Sequence, residues 1–242
     1  MAKVDERLLA MTRQQHQVHY VMRSKFTRKG ATAYIGHLDL MGVFSRAVRK
    51  TGLPLLYSQG FNPRPELVFA LPMGVGINTE GDWVDISMAT PTDAEEFMKK
   101  TNEGLPDGLE ITYVTAIDEP KRSLMSVVTY AEYALEAEGI TQNMIELFKL
   151  PEVMIEKTSK GKTSVKDIRD LMIKLIPEKC TPDKAVVMVC AGSSSNLRPD
   201  VLLNALCAHT GYDRTKADDC IVTRLELYGG AYPDITGIEG LV

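Results

Sequence analysis

From Gln17 onward polar and apolar positions alternate, with Val18, Tyr20 and Met22 on one side and His19, Val21 and Arg23 on the other. A period of two predicts a strand, running to about Phe26 or Thr27. Arg28-Lys29-Gly30 then reads as a turn, and the period changes. At 100° per residue His37, Leu40, Met41, Phe44, Ala47 and Val48 gather on one side, while Asp39, Gly42, Arg46, Arg49 and Lys50 gather opposite. That is an amphipathic helix starting near His37, ended by Gly52 and by Pro54, which cannot continue it. Leu53 to Tyr57 and Leu67 to Leu71 read as extended, with turns at Gly74–Gly76 and Glu80–Gly81, and Trp83 to Met88 as a strand. Thr92 with Glu95 three residues on forms a capping box for a helix to about Asn102. A turn at Gly104–Gly108 leads into a strand from Leu109 to Ile117.

The second half repeats the rhythm. Val127 to Glu138 reads as a strand, Thr141 to about Lys149 as a helix and Glu152 to Lys157 as a strand. Lys160 to Lys162 is a turn, and Val165 to Ile176 reads as helical or irregular. Ala185 to Cys190 is a strand, Pro199 to His209 a helix with proline at its first position, and Ile221 to Tyr228 a last strand. The pattern predicts an α+β fold of two ferredoxin-like (split βαβ) subdomains in tandem. The N-terminal unit covers 17–120 and a C-terminal α+β unit covers 121–228. Residues 1–16 and the Gly-rich 229–242 are expected to be flexible termini.

Composition adds constraints. With 242 residues, 44% hydrophobic and 25% charged, the chain has the make-up of an ordinary globular protein. No apolar run approaches the roughly 18 residues that a membrane span requires. MAKVDERLLAMTRQQHQ has no apolar signal-peptide core, which predicts a cytoplasmic protein without membrane contact. Cys180, Cys190, Cys207 and Cys220 form neither CxxC nor CxxxCxxC, so they predict reduced thiols rather than a zinc site or an iron–sulfur cluster of the chain's own. Charge is uneven. Residues 1–80 carry 11 Lys/Arg against 5 Asp/Glu, residues 81–156 carry 5 against 16, and residues 157–179 carry 7 against 3. If the fold joins the two basic zones, they make a patch suited to a polyanion.

Candidate chemistry concentrates between Tyr34 and Met73. His37 and Asp39 open the first helix. Asp39 there is explained by attraction to the helix dipole, and His37 either is a structural residue on the apolar side or acts as acid or base with Asp39 orienting it. Arg46, Arg49 and Lys50 form a basic stripe. Gln59, Asn62 and Arg64 lie in the dense turn Ser58–Pro65, where guanidinium and amide groups suit phosphates and base edges. Phe61 either stacks on an unpaired base or anchors the turn in the core. Lys160 and Lys162 read as an exposed basic hairpin able to grip a backbone, and Arg198 precedes a helix N-terminus that favours an anion. Neither Gly30 nor Gly74–Gly76 has the frame of a phosphate-binding loop, and no metal-ligand set is legible.

These residues carry a resemblance. YIGHLDLMGVFSRAVRKTGLPLLYSQGFNPRPELVFALPMGVG, NEGLPDGLEI, KTSKGKTSVKDIRDL and NLRPDVLLNAL resemble the radical-SAM-linked domain family of unknown function, across about residues 18–228. That family occurs alone or attached to B12-binding radical SAM proteins. Gly36 stands where the family usually has Ser, and Arg64 where it commonly has His. The resemblance implies a stand-alone companion of a radical SAM enzyme, with the iron–sulfur cluster and S-adenosylmethionine supplied by that partner. Its members' genes often neighbour those for ribonuclease E/G and ribosomal proteins, which implies tRNA or rRNA maturation or modification. The expectation is a non-catalytic RNA-binding accessory protein that uses Arg46, Arg49, Gln59, Phe61, Asn62, Arg64, Lys160, Lys162 and Arg198. The alternatives are an RNA-processing or RNA-modifying enzyme using His37 and Asp39, and a protein–protein adaptor docking through the acidic middle zone.

Overall fold

A computed structural model describes residues 20–120, 122–159 and 162–240, with the side chains of residues 157–159, 162 and 163 left aside. The fold mixes helices with one large sheet, as an α+β chain should. The first half contains β1 (Tyr20–Arg28), α1 (His37–Lys50), β2 (Leu67–Phe69), β3 (Ile77–Met88), α2 (Ala94–Asn102) and β4 (Leu109–Asp118). After a helical turn, α3 (Leu124–Val127), come β5 (Val128–Glu136), α4 (Ile140–Lys149) and the hairpin β6 (Met154–Ser159) and β7 (Lys162–Asp167). The chain continues through β8 (Met172–Leu175), β9 (Lys184–Cys190), α5 (Pro199–Thr210), α6 (Arg214–Asp218), β10 (Ile221–Ala231) and β11 (Asp234–Gly237).

The main sheet has nine strands in the order β4-β1-β3-β10-β5-β9-β8, with β2 also on β3 and β11 also on β10. With β5, β8, β9 and β10 counted as the four main-sheet strands of the second half, each half places its fourth strand beside its first, the first beside the third, and the third beside the second, all antiparallel. The halves join where Ile77–Thr79 of β3 pairs in parallel with Val222–Arg224 of β10. Further along the same edge of β3, Val84–Ile86 pairs with β2 instead. The two neighbours part around Gly81, where a Cβ would stand 2.2 Å from the Leu225 carbonyl oxygen. Only glycine permits that approach.

Periodicity explains the packing. On α1 the apolar stripe buries Leu40, Phe44, Ala47 and Val48, and Phe26, Phe44 and Phe69 meet edge to face with centroids 5.0–5.8 Å apart. Such pairs contribute about 0.5–1.5 kcal/mol beyond the area they bury. The helix ends at Gly52, whose φ of +70° is costly for any residue with a Cβ. In the second half α4 and α5 cover the sheet, burying Ile140, Met144, Leu147, Leu202, Ala205 and Leu206.

Three expectations are corrected. The cap of α2 is Asp93, whose Oδ1 accepts from Glu96 N at 2.8 Å, because the Thr92 hydroxyl turns back to donate to Thr90 O. Residues 165–176 are not helical: β7 and β8 flank a short 3-10 turn. Arg169 holds that turn by donating to the carbonyls of Phe148, Leu150 and Met172. Nor are the described residues after Tyr228 without regular structure, since β10 runs on into a hairpin with β11. Ile238 there is fully buried. Residues 1–16 lie outside the described residues.

Candidate functional site

The turn after α1 is closed by two hydrogen bonds, Ser58 N to Arg64 O at 2.9 Å and Arg64 N to Ser58 Oγ at 3.1 Å. Everything between them stands in solvent: Gln59, Asn62 and Arg64 are exposed, and Phe61 is 111% exposed, more than in an extended peptide. Phe61 therefore does not anchor the core. Arg46, Arg49 and Lys50 are also exposed, on the outer face of α1. His37 sits at the first position of that helix with its ring edge-on to Phe69, centroids 5.4 Å apart. Burial, and then the positive charge of Arg28, hold its pKa below the usual histidine range. Among the described residues no hydrogen bond joins His37 to Asp39, so an oriented acid–base pair is not formed.

The other basic residues lie elsewhere. The β6–β7 hairpin is tied to the second half by Val153 N donating to Asp167 and by a 2.8 Å contact of His209 Nε2 with Met154 O. Lys160 lies outside the described residues, and of Lys162 only the backbone is described. Arg198 is exposed before α5 and pairs with Asp200 at 2.7 Å. Among the described residues no His, Cys, Asp and Glu cluster could hold a metal ion.

A second feature was not legible as a motif. A groove of about 1030 Å³ opens between the halves. One wall comes from the turn at 30–34 and the loop at 71–78. The other comes from the start of α5 and from residues 214–222, with Tyr133 and Arg224 also in the lining. Arg224 is 1% exposed and Asp82 beside it 2%. Their closest atoms, Nη1 and Oδ1, are 3.2 Å apart, but misaligned. Among the described residues Arg224 Nε and Nη1 and both carboxylate oxygens of Asp82 have no hydrogen-bond partner. Arg28, equally buried, donates to the carbonyls of Ile35, Gly74 and Ile77 at 2.7–3.0 Å. Burial pushes the Asp82 carboxyl up to about 6, against the opposing pull of Arg224 and then Arg28. The Arg224 guanidinium lies 5.7 Å from the centre of the Tyr133 ring, a cation–π distance. Cys220, also in the lining, has its thiol pushed up to about 11 by burial, which keeps it protonated and a poor nucleophile at neutral pH.

Sequence reading missed Arg28, Asp82 and Arg224 because no local motif contains them. A signal existed in the strand period. Asp82 shares its face with Val84, Ile86 and Met88, and Arg28 shares its face with Met22 and Phe26, so both are charges at inward-facing positions.

A family model described as an uncharacterized protein conserved in bacteria (DUF2344) matches residues 22–199. The chain belongs to this family. DUF2344 thus takes in the exposed turn, α1 and the whole loop before α5 with its first residue Pro199, while the rest of α5, α6, β10 and Arg224 lie beyond the matched segment. No curated protein matches the chain. No helix among the described residues is long and apolar enough to cross a membrane.

Proposed function

We propose that the chain is a cytoplasmic RNA-binding accessory protein, built from two ferredoxin-like units, that works beside a radical SAM enzyme. The partner supplies the iron–sulfur cluster, the S-adenosylmethionine and the chemistry. The observation that carries the binding half of this reading is Phe61. A phenylalanine wholly in water, at the tip of a turn closed by its own hydrogen bonds, forgoes roughly 1.5–3 kcal/mol of burial. Its flanking Gln59, Asn62 and Arg64 make the turn a platform of the kind that holds unpaired bases, a ring to stack on with amides and a guanidinium around it. Arg46 and Arg49 on α1 add positive charge for phosphates. The partner half rests on the sequence resemblance to the radical-SAM-linked family.

The test is fluorescence anisotropy with a single-stranded oligoribonucleotide lacking a terminal phosphate, titrated at several salt concentrations. Binding should weaken as salt rises. In an Arg46→Ala/Arg64→Ala variant the log–log slope should fall by about 0.7 for each phosphate that is no longer neutralised. Binding that ignores salt, or no binding at all, contradicts the proposal.

A further inference from the structure

The β6–β7 hairpin stands apart from the rest of the fold. It forms a two-stranded sheet of its own, and among the described residues neither strand pairs with the main sheet. At its root Ile155 packs against the core of the second half, while Met154 is 43% and Val165 60% exposed. The antiparallel register sorts the ribbon into two faces, because partners across the ladder share a face and neighbours along a strand alternate. The pairs Ile155–Lys166, Lys157–Ser164 and Ser159–Lys162 make one face. The two acidic residues of the strands, Glu156 and Asp167, both fall on the other. All three lysines of the strands therefore share a face with no carboxylate on it, and Lys166 among them is exposed.

Lysines that only kept an exposed ribbon soluble, or guarded its open edges against another strand, would serve on either face. Gathered on one face they make a row. Lys166, Lys157 and Lys162 occupy ladder positions two residues apart and alternate between the strands. Each step is about 7 Å, a spacing on the scale of the phosphates along one strand of a duplex. The other residues of that face, Ile155, Ser159 and Ser164, bring no ring to stack on an unpaired base and no amide to read a base edge. A face of that make-up contacts backbone alone, and a double-stranded RNA presents its backbone and hydroxyls with its bases paired away.

We infer that this face of the ribbon grips the phosphate backbone of double-helical RNA. The inference rests on the reading of the chain as an RNA-binding protein and deepens it. The turn at Ser58–Pro65 holds unpaired bases and the ribbon holds a stem, so the RNA recognised is a stem with an adjoining single strand.

The experiment is fluorescence anisotropy of the full chain with a blunt-ended RNA duplex, titrated at several salt concentrations beside a single-stranded oligoribonucleotide. The duplex should bind, and more weakly as salt rises. In Lys157→Gln/Lys162→Gln/Lys166→Gln the duplex affinity should fall at least tenfold, and the log–log salt slope by about 0.9 for each phosphate no longer neutralised. Thr158 and Thr163 face each other on the opposite side of the ribbon. Adding Thr158→Lys/Thr163→Lys to the triple variant returns charge to the wrong face and should not restore affinity. The inference is overturned if the full chain does not bind the duplex, if the triple variant binds it as well as the parent chain, or if lysines on the opposite face recover the binding. A chain that binds the single strand but not the duplex overturns this inference and leaves the reading of the turn standing. One that binds the duplex through the lysine face but not the single strand does the reverse.

Discussion

The turn at Ser58–Pro65 and the floor of the groove at Arg224 treat their unusual residues in opposite ways. In the turn an apolar ring, Phe61, is left in water among polar neighbours. At and behind Arg224 three charged groups, Arg28, Asp82 and Arg224, are removed from water. Either arrangement is unfavourable for an isolated chain, but the consequences for stability differ. An exposed ring forfeits a gain and strains nothing. A buried charge must be held by partners, or its desolvation counts in full against folding. Substitution in the turn should therefore change binding and spare the fold, whereas substitution in the floor should change the fold.

The largest expected effect is Arg28→Met. It strands the carbonyls of Ile35, Gly74 and Ile77 and removes a cation beside Asp82, so urea denaturation should show a loss of about 3–5 kcal/mol. Phe61→Ala in the same assay should stay within about 0.5 kcal/mol of the parent chain. Comparable losses in the two variants would erase the distinction.

Next comes pH. The Asp82 carboxyl, raised from 3.8 to about 6 in the folded chain, keeps its proton where the unfolded chain has lost it. The folded state binds more protons between about pH 4 and 6, so this group makes stability fall as pH rises through that window. The swing is on the order of 2–3 kcal/mol. His37 acts the other way: its pKa is lowered from 6.5, so its contribution is present above that value and is lost as pH falls below it. Urea midpoints measured from pH 4 to 7 should show the Asp82 component vanish in Asp82→Asn while the opposing His37 component remains. An unchanged pH profile in that variant would mean that Asp82 is not held protonated by burial.

The two regions also differ in how far the sequence announces them. Where a single periodic segment decides the structure, the pattern found the element: β1 is the predicted strand, although both its faces are buried and it runs on through Arg28, and α1 buries the predicted stripe and ends at Gly52. The turn residues were legible too, because Gln59, Phe61, Asn62 and Arg64 are adjacent in the chain and needed only their exposure decided. The stretch from 165 to 176 misled because its fate is set by pairing of β7 with β6 and of β8 with β9, together with Arg169 bonds reaching back to Phe148 and Leu150. The groove was hidden for a stronger version of the same reason. Its walls are about 140 residues apart in sequence and meet through three parallel register pairs between β3 and β10, a long-range pairing that no local period encodes.

The central claim, that the exposed ring of Phe61 is a stacking platform for RNA, is tested most directly by Phe61→Trp. The chain's own Trp83 is buried, so emission from a new indole in the turn reports on that position. Stacking is worth about 1–3 kcal/mol per base. Titration with a single-stranded oligoribonucleotide should quench the new emission to saturation, at an affinity close to that of the parent chain and more than about fivefold tighter than Phe61→Ala. An indole whose emission ignores RNA, or a Phe61→Ala variant that binds as well as the parent, would contradict the account.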